Sequence, residues 1–558
     1  MVKIKKVTLL LFVILTIFFF RGLYLNSFYS ITSDEPVIYT GLALWKTTDF
    51  AHSPSHPPGM KLLVAWATML LGPDVPIPQN FPNIDEFLYG RLLIFQYNRH
   101  MFQQMICFGR FVALLLGIIG AVYVYKWAKE VANEKSALVA VVLYAFLPLM
   151  VGLSSIADND IMISTFFIMT LYYFKHFVQS GETRDAVITG MCLGIALLSK
   201  HTGILLVPIL GIAALSLIFT KQPVPVLKLL RRASEFTLKW KIFAIIVFFI
   251  FIGAISAFVL NAGYLFQGTF TPLREYNFEQ RFITLNNQAI GWIPVPLPFW
   301  YLKGLETNQI FSKDTHYFHG RWLTSEDWYF FIFSFIVKTP FALLLMLVIG
   351  LILLPKIKYE RTIDLILILL TVGGVTLLFS IKQYKLGIRH LLPIYPLIFV
   401  FIAIVWKYAS EHKMLKRVFS VLLAWYLISS VLVHPYYLSY FNEIIGGSQN
   451  GYKYFLDSNV DWGQDLNAVK KWMDKNNISE IGLSYFGNDV PEIRGIKYHT
   501  IPCEPSPGIH VLSINNLYGL LFTGQPKDCY AWLRNMTPTD RIGYSILVFN
   551  IRNETKNN

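Results

Sequence analysis

A polytopic α-helical membrane protein carrying a small α/β domain at its C-terminal end is the fold class the sequence predicts. Three observations carry it. Apolar residues fill 54% of the 558 positions and charged residues only 15%, against roughly 25% charged in a soluble globular chain. Eleven apolar runs are long enough to cross a bilayer as helices, which takes about 20 residues each. After residue 437 those runs stop, and short polar and alternating segments take over.

The expected spans lie near 7–25, 106–126, 137–154, 160–178, 186–200, 202–220, 241–264, 329–354, 362–381, 390–407 and 417–435. The first follows "MVKIKK", which has the look of a secretion signal. Its apolar stretch is too long for one, and no small-residue cleavage site follows, so it reads as an uncleaved span. The run "HPPGMKLLVAWATMLLG" at 56–72 is shorter and opens on Pro57 and Pro58. Proline suits a helix start, so this run reads as an interfacial or re-entrant helix.

Orientation follows from the basic residues, which gather on the cytoplasmic side of short loops. With the N-terminus inside, the inner segments 1–6, 126–136, 175–185, 221–241, 355–361 and 407–417 hold 21 Lys and Arg. The short outer loops 155–159, 200–201 and 382–389 hold 4. That asymmetry accounts for the net charge of +14 and excludes the need for a nucleic-acid partner. Eleven spans then place the C-terminus outside, with two long outer loops, 26–105 and 265–328. The division expected is a membrane domain over 1–437 and a soluble extracytoplasmic α/β domain over 438–558. In that tail "QDLNAVKKWMDKNN" has helical spacing through Leu466, Val469 and Met473, and "YKYFLDS", "ISEIGLSYFG", "IHVLSIN" and "YSILVFNI" read as strands. No glycine-rich phosphate loop occurs in it. Three Asn-x-Ser/Thr sequons stand at Asn477, Asn535 and Asn553. Cys503 and Cys529 lie in the tail and can pair if it faces an oxidising compartment.

This topology sorts the ionisable residues at membrane depth. Asp34 and Glu35 open the first outer loop. Arg110 lies one turn inside the second span. Asp158 and Asp160 flank the loop before the fourth span, Lys200 and His201 interrupt an apolar stretch, and Arg389 and His390 start the tenth span. All fall on one side. Ionisable groups at this depth are costly and face a cavity or each other, so the expectation is one outward-facing pocket, to which His56 also belongs. Carboxylates supply a general base or a metal ligand, and Arg and Lys hold phosphate. Together they suit transfer of a group from a lipid phosphate, since cations stabilise the charge that grows on the leaving group. Each residue also has a plainer use. Asp34 and Glu35 suit the start of a helix at 36–48, Asp158 and Asp160 can cap a span, Arg110 can snorkel, and Lys200 and His201 can form a turn. A transporter or flippase is the alternative function. It would put such groups at midplane, commonly with an inverted repeat, and no such repeat is visible.

The segments "SDEPVIYTGLALW", "HPPGMKLLVAW", "GRFVALLLGIIGAVYVY", "DNDIMISTFFIMTLYYF", "GIALLSKHTGILLVP", "FHGRWLTSEDWYFFIFSFIVKTP" and "IRHLLPIYP" together resemble the protein mannosyltransferase-like branch of the GT-C glycosyltransferases. That branch includes the dolichyl-phosphate-mannose protein mannosyltransferases and the aminoarabinose transferases of lipid A. The resemblance implies an inverting transferase in a prokaryotic plasma membrane. It would take a sugar from a polyprenyl-phosphate donor, among membrane lipids, to an acceptor protein, lipid or glycan. It implies Asp34, with Glu35 beside it, as the base. It implies Arg110, and less directly Lys200, His201 and Arg389, around the donor phosphate, with His56, Asp158, Asp160 and His390 in the pocket. Some relatives hold a divalent cation and others none; Asp158 and Asp160 are the candidate ligands, though no spacing demands a metal. The tail stretch "YFNEIIGGSQNGYKYFLDSNVDWGQDL" resembles a module of prokaryotic members, with no role attached to it.

Overall fold

In a computed structural model the described residues are 6–80, 84–219, 237–276, 278, 289–311, 315–324, 327–357, 362–381, 385–520 and 526–552. Most of the basic segment 221–241, and Asn553, lie outside them. Helices dominate as far as residue 432. In chain order they are α1 (Lys6–Phe28), α2 (Glu35–Tyr39), α3 (Gly41–Thr47), α4 (Gly59–Met69), α5 (Glu86–Leu92), α6 (Phe102–Val131), α7 (Glu134–Phe146), α8 (Pro148–Leu153), α9 (Asn159–Ser180), α10 (Thr183–Ser199), α11 (Leu206–Ser216), α12 (Leu238–Gly263), α13 (Phe299–Phe311), α14 (Phe330–Lys338), α15 (Phe341–Leu353), α16 (Thr362–Ile381), α17 (Tyr395–Ser410) and α18 (Lys413–Leu432).

Each of the eleven expected segments is helical, but not each is one long rod. Among the described residues seven helices are long and apolar enough to cross a membrane, or eight if α14 and α15 count as one span bent by 110°. Proline explains both breaks. Pro340 stands between α14 and α15, and Pro148 starts α8 after an extended Leu147 (φ −66°, ψ 119°); a proline ring inside a helix removes a backbone bond and clashes with the preceding turn. Large apolar side chains such as Phe12, Phe20, Ile250 and Leu432 stand more than half exposed on the outer helices. A bilayer is the solvent that such a surface fits. The protein is an integral membrane protein.

Where helices cross closely, small residues permit it. At Gly41 in α3 any Cβ would lie 2.1 Å from the Lys61 carbonyl in α4. The stretch Ile388–Ser410 is buried along its whole apolar length. It packs on α6, α7, α15, α16 and α18, so its first residues, Arg389 and His390, emerge at the centre of the bundle and not at its rim.

Residues 315–324 form a hairpin of β1 (Thr315–Phe318) and β2 (Arg321–Thr324). The tail folds as a five-stranded sheet in the order β4–β3–β5–β7–β6, made of β3 (Ile481–Ser484), β4 (Tyr498–Thr500), β5 (Gly508–Ser513), β6 (Asp540–Ile542) and β7 (Ile546–Ile551). β3 runs parallel to β4 and β5, while β7 is antiparallel to β5 and β6. Helix α19 (Leu466–Lys475) buries Leu466, Val469 and Met473, the spacing read from the sequence. Cys503 and Cys529 are joined in a disulfide. One expected strand is absent: "YKYFLDS" is 3₁₀ helix and turn, with 3₁₀ segments at Ser448–Lys453 and Asp457–Asn459. Its backbone groups bond to other regions of the fold, as when Asp457 N donates to Asn515 Oδ1 (2.8 Å), so no sheet partner is needed.

Candidate active site

The acid pair that opens the first long loop splits into two jobs. Asp34 and Glu35 start α2, with Pro36 in its first turn. Asp34 makes no side-chain capping bond, so the helix-cap use does not describe it. Its carboxylate, 21% exposed, reaches Arg389 Nη1 at 2.7 Å. Glu35 turns the other way and is fully buried.

Glu35 meets Arg110 in a two-pronged pair, Nε to Oε1 at 2.8 Å and Nη2 to Oε2 at 2.7 Å. Arg110 gives its remaining N–H groups to the carbonyls of Asn26 (2.6 Å), Tyr29 (2.9 Å) and Ser30 (2.8 Å). All five donors of the guanidinium are in use. Glu35 accepts further bonds from Ala157 N and Thr32 N, each at 2.8 Å. The structure therefore corrects two sequence readings. Arg110 has no N–H left for a phosphate, and Glu35 has no free lone pair or access to act as a base. The pair ties α6 to the loop of Asp34 and to the residue before Asp158.

Around Arg389 the expected convergence is present. Its Nη1 lies 3.9 Å from Asp158 Oδ2 and 3.8 Å from Asp160 Oδ2, besides the contact to Asp34. Asp160 Oδ1 in turn receives Lys200 Nζ at 2.6 Å. Local structure sets these positions. Asp158 caps α9 by accepting from Asp160 N, so the capping use and the pocket position coexist. Lys200 ends α10 in an extended conformation (φ −158°, ψ 145°), which turns its side chain out of the helix line. Burial, and then the Asp160 carboxylate, push the Asp158 carboxyl well above its usual range. Two cations thus face Asp34 and Asp160, with Asp158 beside them.

The histidines divide. His56 is inside the same neighbourhood: burial first, then Lys61, Lys200, His201 and Arg389, hold it well below its usual pKa, so its ring is neutral, and its Nδ1 meets Ser55 Oγ at 2.8 Å. His201 meets the Tyr301 carbonyl through its Nε2 at 3.1 Å. His390 packs its ring beside Phe379, centroids 5.7 Å apart. Asp158 and Asp160 are bound to cations, and among the described residues no group of three or more His, Cys, Asp or Glu side chains could hold a metal ion. No step below uses one.

Sequence reading missed several groups at this place. Lys61 is buried, donating to the Ser53 carbonyl at 2.8 Å and lying 3.6 Å from Glu86. Trp462 lays its ring 4.1 Å from the Arg389 guanidinium carbon. Asp457 lies close enough for Arg389 to lower and Asp34 to raise its pKa; burial outweighs both and pushes it up to about 6. The only signal for the last two was their place in the unassigned "LDSNVDWGQDL".

The fold and the site define an integral membrane protein in which four separated stretches bring carboxylates and cations into one cluster. Residues 94–252, from just past α5 into α12, match the family described as dolichyl-phosphate-mannose-protein mannosyltransferase. Among solved structures the chain is similar to ArnT from Cupriavidus metallidurans bound to undecaprenyl phosphate, at 11% identity and a TM-score of 0.44, covering 97% of each chain. It is also similar to the archaeal oligosaccharyltransferase AglB from Archaeoglobus fulgidus in complex with an inhibitory peptide and a dolichol-phosphate, at 12% identity and a TM-score of 0.45, covering 90% of this chain and 69% of that one. No curated protein matches the chain.

Proposed function

We propose that the protein transfers a sugar from a polyprenyl-phosphate donor to an acceptor hydroxyl on a protein, lipid or glycan, with inversion at the anomeric carbon. The observation that carries this reading is the contact of Asp34 with Arg389 at 2.7 Å, beside Lys200 and Asp160. Asp34 is the most exposed of the cluster's carboxylates, so it is the one an acceptor can reach. The acceptor oxygen attacks the anomeric carbon as Asp34 takes its proton. The bond from that carbon to the phosphate oxygen breaks, and its electrons go to the phosphate. Arg389 and Lys200 stabilise the charge that grows there, an effect strengthened by the low-dielectric surroundings. His56, held neutral beside them, adds no competing charge.

The match of 94–252 to a family named for a dolichyl-phosphate sugar supports the donor class. The disulfide between Cys503 and Cys529 supports an extracytoplasmic tail, since such bonds persist in oxidising compartments. Together with the asymmetry of basic loops, it favours a cytoplasmic N-terminus and chemistry on the outer face of a prokaryotic plasma membrane. Residues 1–437 then make up the catalytic membrane domain, and 438–558 an extracytoplasmic one.

The test is incubation of the purified protein with a panel of polyprenyl-phosphate sugars, reading release of the lipid phosphate. Asp34→Asn should fold and bind undecaprenyl phosphate, yet lose about 10²- to 10⁴-fold in release, the range of a general base. Release by the variant at the wild-type rate refutes the assignment of the base. A flux of substrate with no covalent product refutes the enzyme reading in favour of a transporter.

A further inference from the structure

The tail does more than sit over the bundle. Ten of its residues, 457–466, grip both sides of the chamber. On one side Ser33 N donates to the Trp462 carbonyl at 2.9 Å, Ser30 N to the Gln464 carbonyl at 3.0 Å, and Ser30 Oγ to the Gly463 carbonyl at 2.7 Å. These bonds fix the strand that leads into Asp34. On the other side Asn459 accepts from Ile388 N at 3.1 Å and donates to the Leu386 carbonyl at 3.0 Å, which fixes the turn into Arg389. Buried Lys338 donates to the Asn459 carbonyl. Gly463 allows the chain to pass: its φ is +83°, and a Cβ there would lie 2.8 Å from the Phe486 carbonyl.

Between these grips stands Trp462, 2% exposed, its ring over the Arg389 guanidinium. The guanidinium needs such a support. Its Nη1 bonds to Asp34, but its Nε is buried without a hydrogen-bond partner among the described residues. One hydrogen-bonded nitrogen, with Asp158 and Asp160 at 3.9 and 3.8 Å from the same atom, fixes a point of the guanidinium and not its plane. An indole face attracts a guanidinium stacked on it and leaves only the edge of the cation for anions. That edge is the portion that reads a phosphate.

We propose that Trp462 is a positioning residue for Arg389. The tail thereby supplies one wall of the donor-phosphate site, and the membrane helices alone make an incomplete site. The inference rests on the reading of Arg389 given above. The competing description is that Trp462 merely fills core volume, and the variants are chosen to separate the two. Trp462→Phe keeps an aromatic face; Trp462→Leu keeps apolar bulk without one.

The measurement uses the full chain in lipid nanodiscs with undecaprenyl phosphate as the probe. Trp462→Phe should bind within about threefold of wild type and Trp462→Leu roughly 10- to 30-fold more weakly, the span of a desolvated cation–π contact. A double-mutant cycle with Arg389→Lys, which keeps the charge and removes the plane, completes the test. In that background the Phe and Leu variants should bind alike. Equal binding by the two variants with Arg389 intact overturns the proposal. So does a Leu penalty that persists unchanged in Arg389→Lys, because it then reflects folding or packing. Wild-type protein that fails to bind the probe at all refutes the donor-class reading, and the proposal falls with it.

Discussion

Neighbouring acids can have opposite fates because a helix turns each successive side chain by about 100°. Asp34 is 21% exposed on its side chain and Glu35 is 0%. The buried pair of Glu35 and Arg110 holds the loop, and breaking such a pair strands a charge in the interior. Arg110→Met should therefore cost about 3–5 kcal/mol, seen as a fall in melting temperature with loss of detergent-stable protein. Asp34→Asn should melt near wild type. A matching drop in both variants would mean that Asp34 too is structural. The sequence announced that both acids and Arg110 matter, since each is costly at that depth. It was silent on which acid faces Arg110, because that depends on the rotation of a five-residue helix whose ends are set by distant contacts. Arg110 read as a phosphate ligand for the same reason: composition shows that a cation needs anions, but five satisfied donors appear only once Asn26, Tyr29 and Ser30 curl around it.

Among elements, the segment 457–466 concentrates three acids in one buried turn. Burial pushes Asp457 up to about 6, Asp461 to about 8 and Asp465 to about 7, from an ordinary 3.8. Around Asp457 stand Arg389, which pulls its pKa down, and Asp34, which pushes it up. In the unfolded chain these carboxyls release their protons near pH 4; in the folded tail they keep them to higher pH. The native state therefore binds more protons between those limits, and its stability falls as pH rises. The hold of this segment should weaken steadily from about pH 4 to about pH 8 and level off above. Hydrogen exchange of residues 457–475 across that range measures it, and Asp461→Asn should flatten the upper end of the curve. An exchange rate whose excess over the intrinsic rate is independent of pH refutes the account. This element was also the least legible from the sequence. α19 could be read from its repeat of Leu466, Val469 and Met473, a local pattern. The stretch before it looked like a strand because it is rich in aromatic residues, Tyr452, Tyr454 and Phe455. It is held instead by side chains of remote segments, and no local period encodes those.

For the molecule as a whole, hydropathy located every helix of the bundle, because lipid selects long apolar runs with little regard to tertiary detail. Continuity was harder to read. Pro148 and Pro340 divide two runs that composition alone joins. The convergence of acids and cations was legible once the basic loops had suggested a common side, but the participation of the tail was not, since Trp462 and Arg389 are far apart in the chain and share no local pattern. The orientation has its own test. In intact cells a protease-sensitive tag after residue 552 should be cut from outside, and one placed in 407–417 should be protected. The reverse pattern would invert the topology and move the chemistry to the cytoplasm.

The bonds between Ser30 or Ser33 and residues 462–464 also govern timing. During synthesis Asp34 and Arg389 both emerge from the ribosome before Trp462 does. On the proposal above, a half-made polypeptide inserts its bundle while the donor-phosphate site still lacks one side. On the role proposed for Trp462, competence arrives only once that residue has been made, and polypeptides cut short before it are expected to stay inert.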